Sequence, residues 1–341
     1  MKRKPILLFA AALLCILSAC GANDSGAPDV LSAEPSAAPT LAPTPTATPI
    51  PTPTPAPVDV YGVTVCWNDA EIDLRTVSID DAGAALSEAL SALPQVHRVD
   101  MTGCGLSNRE MGALQEAFPD VSFAWRLNLY TYFISADADF FIPNPDAGFV
   151  TTGIQHGPHA LWYCRDLRAL DLGHTGIHDI SFLEVMPHLR YLILAANPIN
   201  DLTLVGKLQE LEWLELFQTY VQDLSPLLGC TALRDLNICY IPATGEEILA
   251  TLSQMPWLRR LWVVGCNLST DQIDELCAAL PDTEIWYAAG DESTGGTWRL
   301  DNDYYDMRDA FHMYYMDAVG NNARRLTEEE LADAHKKHWG Y

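Results

Sequence analysis

The sequence predicts an α/β solenoid, in which short parallel strands from successive coils form one sheet and short helical segments cover its back. Leucines recur every 22 residues, at Leu167, Leu189, Leu211 and Leu233. Each opens a frame with apolar residues at positions 1, 4, 6 and 11, and the first three coils have a small polar residue at position 9. A coil of this size can bury its apolar face only by stacking on neighbours.

The frame assigns a role to each position. Positions 4 and 6 have the two-residue period of a strand, so both side chains face the same interior. Position 9 lies where the chain turns, and its side chain is expected to bond to the backbone of neighbouring coils. These residues are Thr175, Asn197 and Thr219. An aspartate after each turn is expected to cap short 3₁₀ or turn-like backbone rather than to form a calcium ladder. These are Asp179, Asp201 and Asp223.

Coils of a second kind flank the central array, at 96–106 and 258–268. They keep the frame but have cysteine at position 9, expected to be a buried thiol. These cysteines are Cys104 and Cys266. Each coil continues into a stretch with helical spacing behind a serine N-cap, Ser107 or Ser269. The solenoid is therefore expected to have a mixed 3₁₀ and helical outer side.

The 22-residue coils, with Asp-Leu-Ser-Pro-Leu at 223–227, resemble the leucine-rich repeats of bacterial internalins. The flanking helix-backed coils resemble those of the ribonuclease-inhibitor type. The resemblance covers roughly residues 70–286. It implies a leucine-rich repeat horseshoe with a parallel sheet on its concave side, and it says almost nothing about function.

The N-terminus has the features of a lipoprotein signal peptide, residues 1–19. A positive stretch, Lys2–Lys4, precedes an apolar run, Ile6–Leu17, that is too short to span a bilayer. Small residues then lead to Cys20, and this resembles the lipobox in which such a cysteine receives a diacylglycerol. We expect an extracytoplasmic protein held at a bacterial membrane only through that lipid, the alternative being an ordinary secretory peptide.

The remaining chain divides into three predicted segments. Residues 20–58 form a Pro/Thr-rich linker after the lipidated cysteine, expected to be an extended spacer. Residues 59–290 form the repeat domain, with an irregular excursion near 123–163. Residues 291–341 are rich in aromatic residues and methionine and are expected to form a helical extension. That extension either caps the last coil or docks another protein.

Composition and motifs exclude several functions. The chain has 45 acidic and 20 basic residues, a formal charge of -25, which repels nucleic-acid phosphates. Hydrolase, zinc-protease, P-loop and dinucleotide motifs are missing, and no CxxC pair exists among the cysteines. We therefore predict no catalysis, no cofactor and no metal, although Asp171, Glu215 and Asp235 leave an acid–base enzyme as a remote alternative.

The candidate binding surface is the concave face of the sheet, where positions 3, 5, 7 and 8 are expected to be free of packing. Aromatic side chains converge there between acidic ones, as at protein interfaces. The predicted partner-binding residues are Tyr191, Trp213, Glu215, Phe217, Asp235, Tyr240 and Trp262. We predict a protein or peptide ligand, with a glycan or the cell wall (peptidoglycan) as the alternative. Stacking of the aromatic rings on one another, or shielding by the Tyr-rich C-terminal extension, is the competing interpretation.

Overall fold

The computed structural model describes residues 55–129, 132–141 and 158–288. The predicted signal peptide, most of the linker, part of the excursion and the predicted helical extension lie outside the described residues. Within the described ranges, no helix has both the length and the apolar character needed to cross a bilayer.

The N-terminal part contains a hairpin and a small parallel sheet. The hairpin pairs β1 (Val58–Val60) with β2 (Val63–Val65). The sheet has three strands, in the order β3 (Glu71–Asp73), β4 (Arg98–Asp100) and β5 (Ser122–Ala124). Two helices connect these strands, α1 (Ala84–Ala92) and α2 (Asn108–Ala117). Each strand belongs to one coil. Each helix lies between two successive strands and covers the back of the sheet.

A second hairpin interrupts the ladder of parallel strands. It pairs β6 (Arg126–Leu129) with β7 (Tyr132–Ser135). The chain then forms β8 (Phe140–Phe141), which is the edge strand of the second sheet. The excursion near 123–163 is thus partly regular, and its residues 142–157 lie outside the described part of the chain.

The second sheet has seven parallel strands in chain order, which confirms the predicted solenoid. After β8 come β9 (Ala169–Asp171), β10 (Tyr191–Ile193), β11 (Trp213–Glu215), β12 (Asp235–Asn237), β13 (Arg260–Trp262) and β14 (Glu284–Trp286). The central coils return through 3₁₀ helices at Pro158–Tyr163, Ser181–Val185, Val205–Lys207 and Ser225–Gly229. The last two returns are α3 (Gly245–Leu252) and α4 (Thr270–Ala279).

Leucine at position 4 builds the core. The position-4 residues are paired in register across neighbouring strands, and none is more than 1% exposed. They are Leu170, Leu192, Leu214, Leu236 and Leu261. Because the same residue recurs at the same height, side chains of successive coils fill one continuous interior.

Position 9 links coils as predicted, most extensively at Asn197. Its amide nitrogen donates to the carbonyl oxygens of Leu172 at 2.7 Å and Leu194 at 3.0 Å. Its amide oxygen accepts from the backbone N–H of Ile177 at 3.1 Å. Leu172 and Ile177 belong to the preceding coil, so one side chain, 2% exposed, joins two coils. Thr219 instead donates only within its own coil, to the carbonyl of Leu216 at 2.8 Å.

The residue at position 8 has a left-handed backbone conformation instead of the extended conformation of an outward strand position. The φ values are positive in five successive coils: His174 61°, Ala196 53°, Gln218 53°, Tyr240 59° and Gly265 71°. Only the last is glycine, the residue that adopts this conformation without strain. In each of these five coils the strand has already ended at position 5, and position 8 lies in the turn that follows, which corrects the expectation for this position.

The predicted caps are present. Ser107 and Ser269 each form a capping box with the residue three positions on, and Thr244 does the same for α3. Of the two cysteines at position 9, Cys104 is 1% exposed, whereas Cys266 is only partly buried and donates to the Ile238 carbonyl at 3.1 Å. All seven cysteines in the described ranges are free thiols.

The repeated aspartates cap turns, as expected. Asp179, Asp201 and Asp223 each accept a backbone N–H from the residue two positions on, at 2.8–2.9 Å. The hydroxyl and backbone N–H of that residue lower the pKa of each carboxyl. A carboxyl with a lower pKa in the folded state favours folding above its ordinary pKa, and this contribution fades as the pH falls through the folded-state pKa.

The concave face as candidate binding surface

The parallel register arranges the outward side chains in rows across the sheet. Position 3 gives the row Tyr191, Trp213, Asp235, Arg260 and Glu284. Position 5 gives the row Asp171, Ile193, Glu215, Asn237, Trp262 and Trp286. The register thus brings five of the seven predicted partner-binding residues together on one face, because every coil contributes one residue to each row. The other two, Phe217 and Tyr240, follow the strands at positions 7 and 8.

The expectation that these side chains are exposed is wrong for four of the seven. Trp213 is 1% exposed, Trp262 2%, Glu215 0% and Asp235 9%. Tyr191 and Phe217 are half-buried, and Tyr240 alone is exposed, at 37%. The indoles pack with Ile193, Ala195 and Cys239 in a second apolar cluster, separate from the main core. The face is therefore a packed layer rather than a set of free rings.

Aromatic rings pack against one another along this layer. The ring centroids of Trp213 and Trp262 are 5.5 Å apart with a tilt of 51°. Trp262 stacks on Trp286 at 6.4 Å, with an interplanar angle of 25°. Phe217 and Tyr240 meet edge to face at 5.7 Å. The ring stacking that the sequence left open as a competing interpretation is thus present, and these contacts fix the ring orientations.

Arg260 is a residue that sequence reasoning missed. It forms a buried ion pair with Asp235, the residue beside it in the position-3 row. Its guanidinium carbon also lies 5.4 Å from the Trp213 ring centroid and 5.5 Å from that of Trp262, a double cation–π contact. The sequence does contain a signal for this ion pair, because residues of opposite charge, Asp235 and Arg260, occupy position 3 of two successive coils.

Polar groups between the rings are held in fixed positions. The Asn237 amide oxygen accepts from the Cys239 backbone N–H at 2.9 Å, so its amide nitrogen must point away from that bond. Within the described part of the chain, this nitrogen and the indole N–H of Trp262 are buried and have no acceptor. The charged side chains of Asp171, Glu215 and Arg260, in contrast, all have interaction partners.

The rim of the face has a second, more exposed ion pair. The Arg190 guanidinium lies 2.6 Å from the Glu212 carboxylate, and both side chains are about a third exposed. The Tyr191 hydroxyl donates to the same carboxylate at 3.4 Å. Burial, and then the charge of Glu212, raises the pKa of Tyr191, so this hydroxyl is a donor and not an anion at neutral pH.

The titratable side chains of the face include Asp171, Asp235 and Cys239. In residues 55–129, 132–141 and 158–288, no three or more His, Cys, Asp or Glu side chains come close enough to hold a metal ion. Burial raises the pKa of the Cys239 thiol, which makes it a poor nucleophile. Asp235 pairs with Arg260, and Asp171 accepts the Gly173 backbone N–H at 2.8 Å. These two acids, both among the acid–base candidates, therefore hold structural contacts.

These stacked coils, with one three-residue parallel strand each and a leucine-lined interior, define a leucine-rich repeat solenoid. No family model and no curated protein matches the sequence. Among solved structures, the chain is similar to an internalin from Listeria monocytogenes, at 15% identity and a TM-score of 0.35, covering 65% of this chain and 62% of that one. The chain thus spans less than two thirds of that protein.

Two other solved structures give similar values. Internalin C2 from Listeria monocytogenes is 16% identical with a TM-score of 0.34, covering 64% of this chain and 96% of that chain. A leucine-rich repeat protein of Leptospira interrogans is 17% identical with a TM-score of 0.35, covering 64% and 54%.

Proposed function

We propose that the protein is a surface-anchored, non-catalytic module that binds a protein or peptide through the concave face. The observation that supports this most directly is the pair of donors on adjacent strands, Asn237 and Trp262, which are partners in the register. A buried donor without an acceptor costs about 1–3 kcal/mol. A ligand that displaces the side chains now covering these donors and supplies carbonyl oxygens recovers that energy, and a peptide backbone supplies such oxygens regularly.

Phe217 and Tyr240 give this site its accessible apolar part. Their rings contact edge to face, one half-buried and the other 37% exposed, and Phe217 packs against the cluster that contains Trp262. Aromatic anchors beside fixed polar groups are typical of binding hot spots. A glycan is the second candidate ligand, but the Trp213 and Trp262 rings are buried and tilted by 51° to each other, so they offer no flat, open platform to a sugar.

Capture of a partner by the full chain tests the binding face. We expect Phe217→Ala/Tyr240→Asn to reduce recovery of a protein from surface extract by tenfold or more, because the variant loses both accessible rings. Asparagine tolerates the left-handed backbone of position 240, so the fold is kept. Recovery is measured by pull-down at equal bait concentration, in parallel with purified cell wall.

Tyr220→Asn is the matched control, since Tyr220 is 65% exposed but belongs neither to the concave apolar cluster nor to the Phe217–Tyr240 ring pair. It should capture as the unchanged protein does. Equal loss in both variants would contradict recognition by the concave face. Retention on the cell wall that depends on Phe217 and Tyr240 would favour the glycan ligand instead.

We also propose that Cys20 anchors the protein outside the cytoplasm, on the strength of the residues that resemble a lipobox. Fatty-acid labelling in a bacterial host tests this. The Cys20→Ser chain is expected to incorporate no labelled fatty acid, whereas Cys15→Ser, a change within the apolar run, is expected to incorporate it normally. Labelling of the Cys20→Ser chain would exclude this anchor.

A further inference from the structure

We infer that Arg234 and Arg259 form a site for the carboxylate groups of an acidic peptide, at the edge of the seven-stranded sheet where its strands begin. The inference rests on the proposed function for the nature of the ligand, a peptide, and adds which residues that peptide carries. The placement of the basic residues, the exposure of this pair and the contact made by Arg234 support it.

Basic residues concentrate along this edge. Residues 158–288 include seven lysines and arginines, and four of them occupy position 2, directly before a strand. These are Arg168, Arg190, Arg234 and Arg259. Hydrogen bonds between coils fix the backbone here, since the N–H of Arg259 donates to the Arg234 carbonyl at 2.7 Å. These coils therefore gather more than half of their basic residues in one row.

The pair Arg234 and Arg259 has no carboxylate of its own. The acids on the preceding coils of this edge already have partners, which are Arg190 for Glu212 at 2.6 Å, His188 for Glu210 at 2.7 Å and the Ser122 hydroxyl for Asp166 at 2.5 Å. Both arginines of the pair are exposed, and within residues 55–129, 132–141 and 158–288 neither forms an ion pair. Two like charges on neighbouring coils repel each other, and an anion that binds between them removes this repulsion.

A contact with the next coil positions the Arg234 guanidinium. It donates to the Trp257 carbonyl at 3.2 Å, and Trp257 lies two residues before Arg259. Trp257 is partly buried and packs against the main core, so this carbonyl belongs to a fixed part of its coil. The guanidinium is thus held on the side of Arg259 and not on the side of Glu212. Arginine suits a carboxylate because its planar fork can donate two parallel N–H···O bonds to the two oxygens.

Few negative charges oppose an anion at this site. Asp235 and Arg260, which directly follow the two arginines, pair with each other. The next coil has one exposed acid, Asp282, two residues before Glu284, whose backbone N–H donates to the Arg259 carbonyl at 2.9 Å. Neighbouring strands are about 4.8 Å apart, and at physiological ionic strength exposed charges are screened beyond about 8 Å. The net negative charge of the whole chain therefore does not prevent an acidic peptide from binding here.

The test measures the affinity of the full chain for a dye-labelled peptide of six glutamates, by fluorescence anisotropy at physiological ionic strength. Arg234→Gln/Arg259→Gln is expected to weaken binding by about tenfold or more, because it removes both cations of the site. Circular dichroism checks that the variant is folded. Arg168→Gln is the matched control, since Arg168 is an exposed arginine at the same position three coils away, and it should change the affinity by less than about twofold. Equal weakening in the two variants, or equal binding of a peptide of six glutamines, would overturn the inference.

Removing a negative charge should act in the opposite direction. Asp282→Asn takes away the exposed acid of the next coil and is expected to strengthen binding of the six-glutamate peptide by about two- to threefold. Affinity that stays unchanged or falls in this variant would contradict a site at Arg259.

Two further measurements identify the ligand and separate this site from the concave face. Displacement of the labelled peptide by linear polyphosphate, at about a tenth of the charge concentration that unlabelled six-glutamate peptide needs, would place a phosphate polymer at the site and overturn the acidic peptide. Phe217→Ala/Tyr240→Asn should bind the six-glutamate peptide as the unchanged chain does, because its two rings follow the strands at the opposite edge. Failure of the arginine site and failure of the proposed function are therefore read in different assays.

Discussion

Replacing Arg260 with methionine is expected to lower the free energy of unfolding by about 3–5 kcal/mol, because it leaves the Asp235 carboxylate buried without its cation. The side chains of Arg260 and Asp235 are only 6% and 12% exposed. The change also removes the cation between the Trp213 and Trp262 rings. Urea denaturation followed by circular dichroism measures the effect.

Two further variants make the expectation specific. Arg190→Met breaks the pair with Glu212, which is about a third exposed, and should cost at most about 1 kcal/mol. The double variant Asp235→Leu/Arg260→Met removes both buried charges and should recover most of the lost stability. If Arg190→Met and Arg260→Met lower the free energy of unfolding by the same amount, burial of the Arg260–Asp235 pair is not the reason for its effect on stability.

Replacing Asn197 with leucine is expected to cost about 3–4 kcal/mol of unfolding free energy. The two side chains are similar in size, so the loss comes from hydrogen bonds rather than from a cavity. The variant takes from the Ile177 N–H and the Leu194 carbonyl the bonds that Asn197 makes to them, whereas the Leu172 carbonyl still accepts from the Thr175 hydroxyl. Each buried backbone group that loses its partner costs about 1–3 kcal/mol.

Thr219→Val is the matched control at the same position of the next coil. Thr219 is 1% exposed and donates only to Leu216 in its own coil, so we expect a loss of about 1 kcal/mol. Unfolding in urea compares the two variants under one condition. A cost for Asn197→Leu no larger than that for Thr219→Val would show that the link between coils adds no stability.

The coil frame could be predicted from the sequence because each coil repeats its physical requirements. Position 4 must be buried, so leucine recurs there, and the helix starts need an N-cap, so Ser107 and Ser269 stand where the structure has capping boxes. The position-9 contacts of Asn197 followed from the same frame. Periodicity fixes which residues are neighbours, and this part of the prediction is confirmed.

The state of the candidate site could not be predicted in the same way. Whether Trp213 is exposed depends on what lies outside the sheet, and a repeat frame describes only what lies inside it. The left-handed backbone at position 8 was hidden because only the flanking coils have glycine there, Gly103 and Gly265, whereas four other residues adopt the same conformation. Those four are His174, Ala196, Gln218 and Tyr240. The Asp235–Arg260 ion pair could be predicted only by comparing the residues at position 3 of neighbouring coils, because the two partners belong to different coils.

The interruption of the strand ladder limits the cooperativity of the whole stack. Strand hydrogen bonds run from coil to coil except between β5 and β8, where the β6–β7 hairpin intervenes. Side chains bridge this junction instead, including Ser122 to Asp166 at 2.5 Å and Gln115 to the Tyr163 carbonyl at 3.0 Å. Because each repeat is stabilised by its nearest neighbours, the junction is where partial unfolding would divide the chain. The concave face lies wholly on the C-terminal side, so it would persist after the N-terminal block had melted.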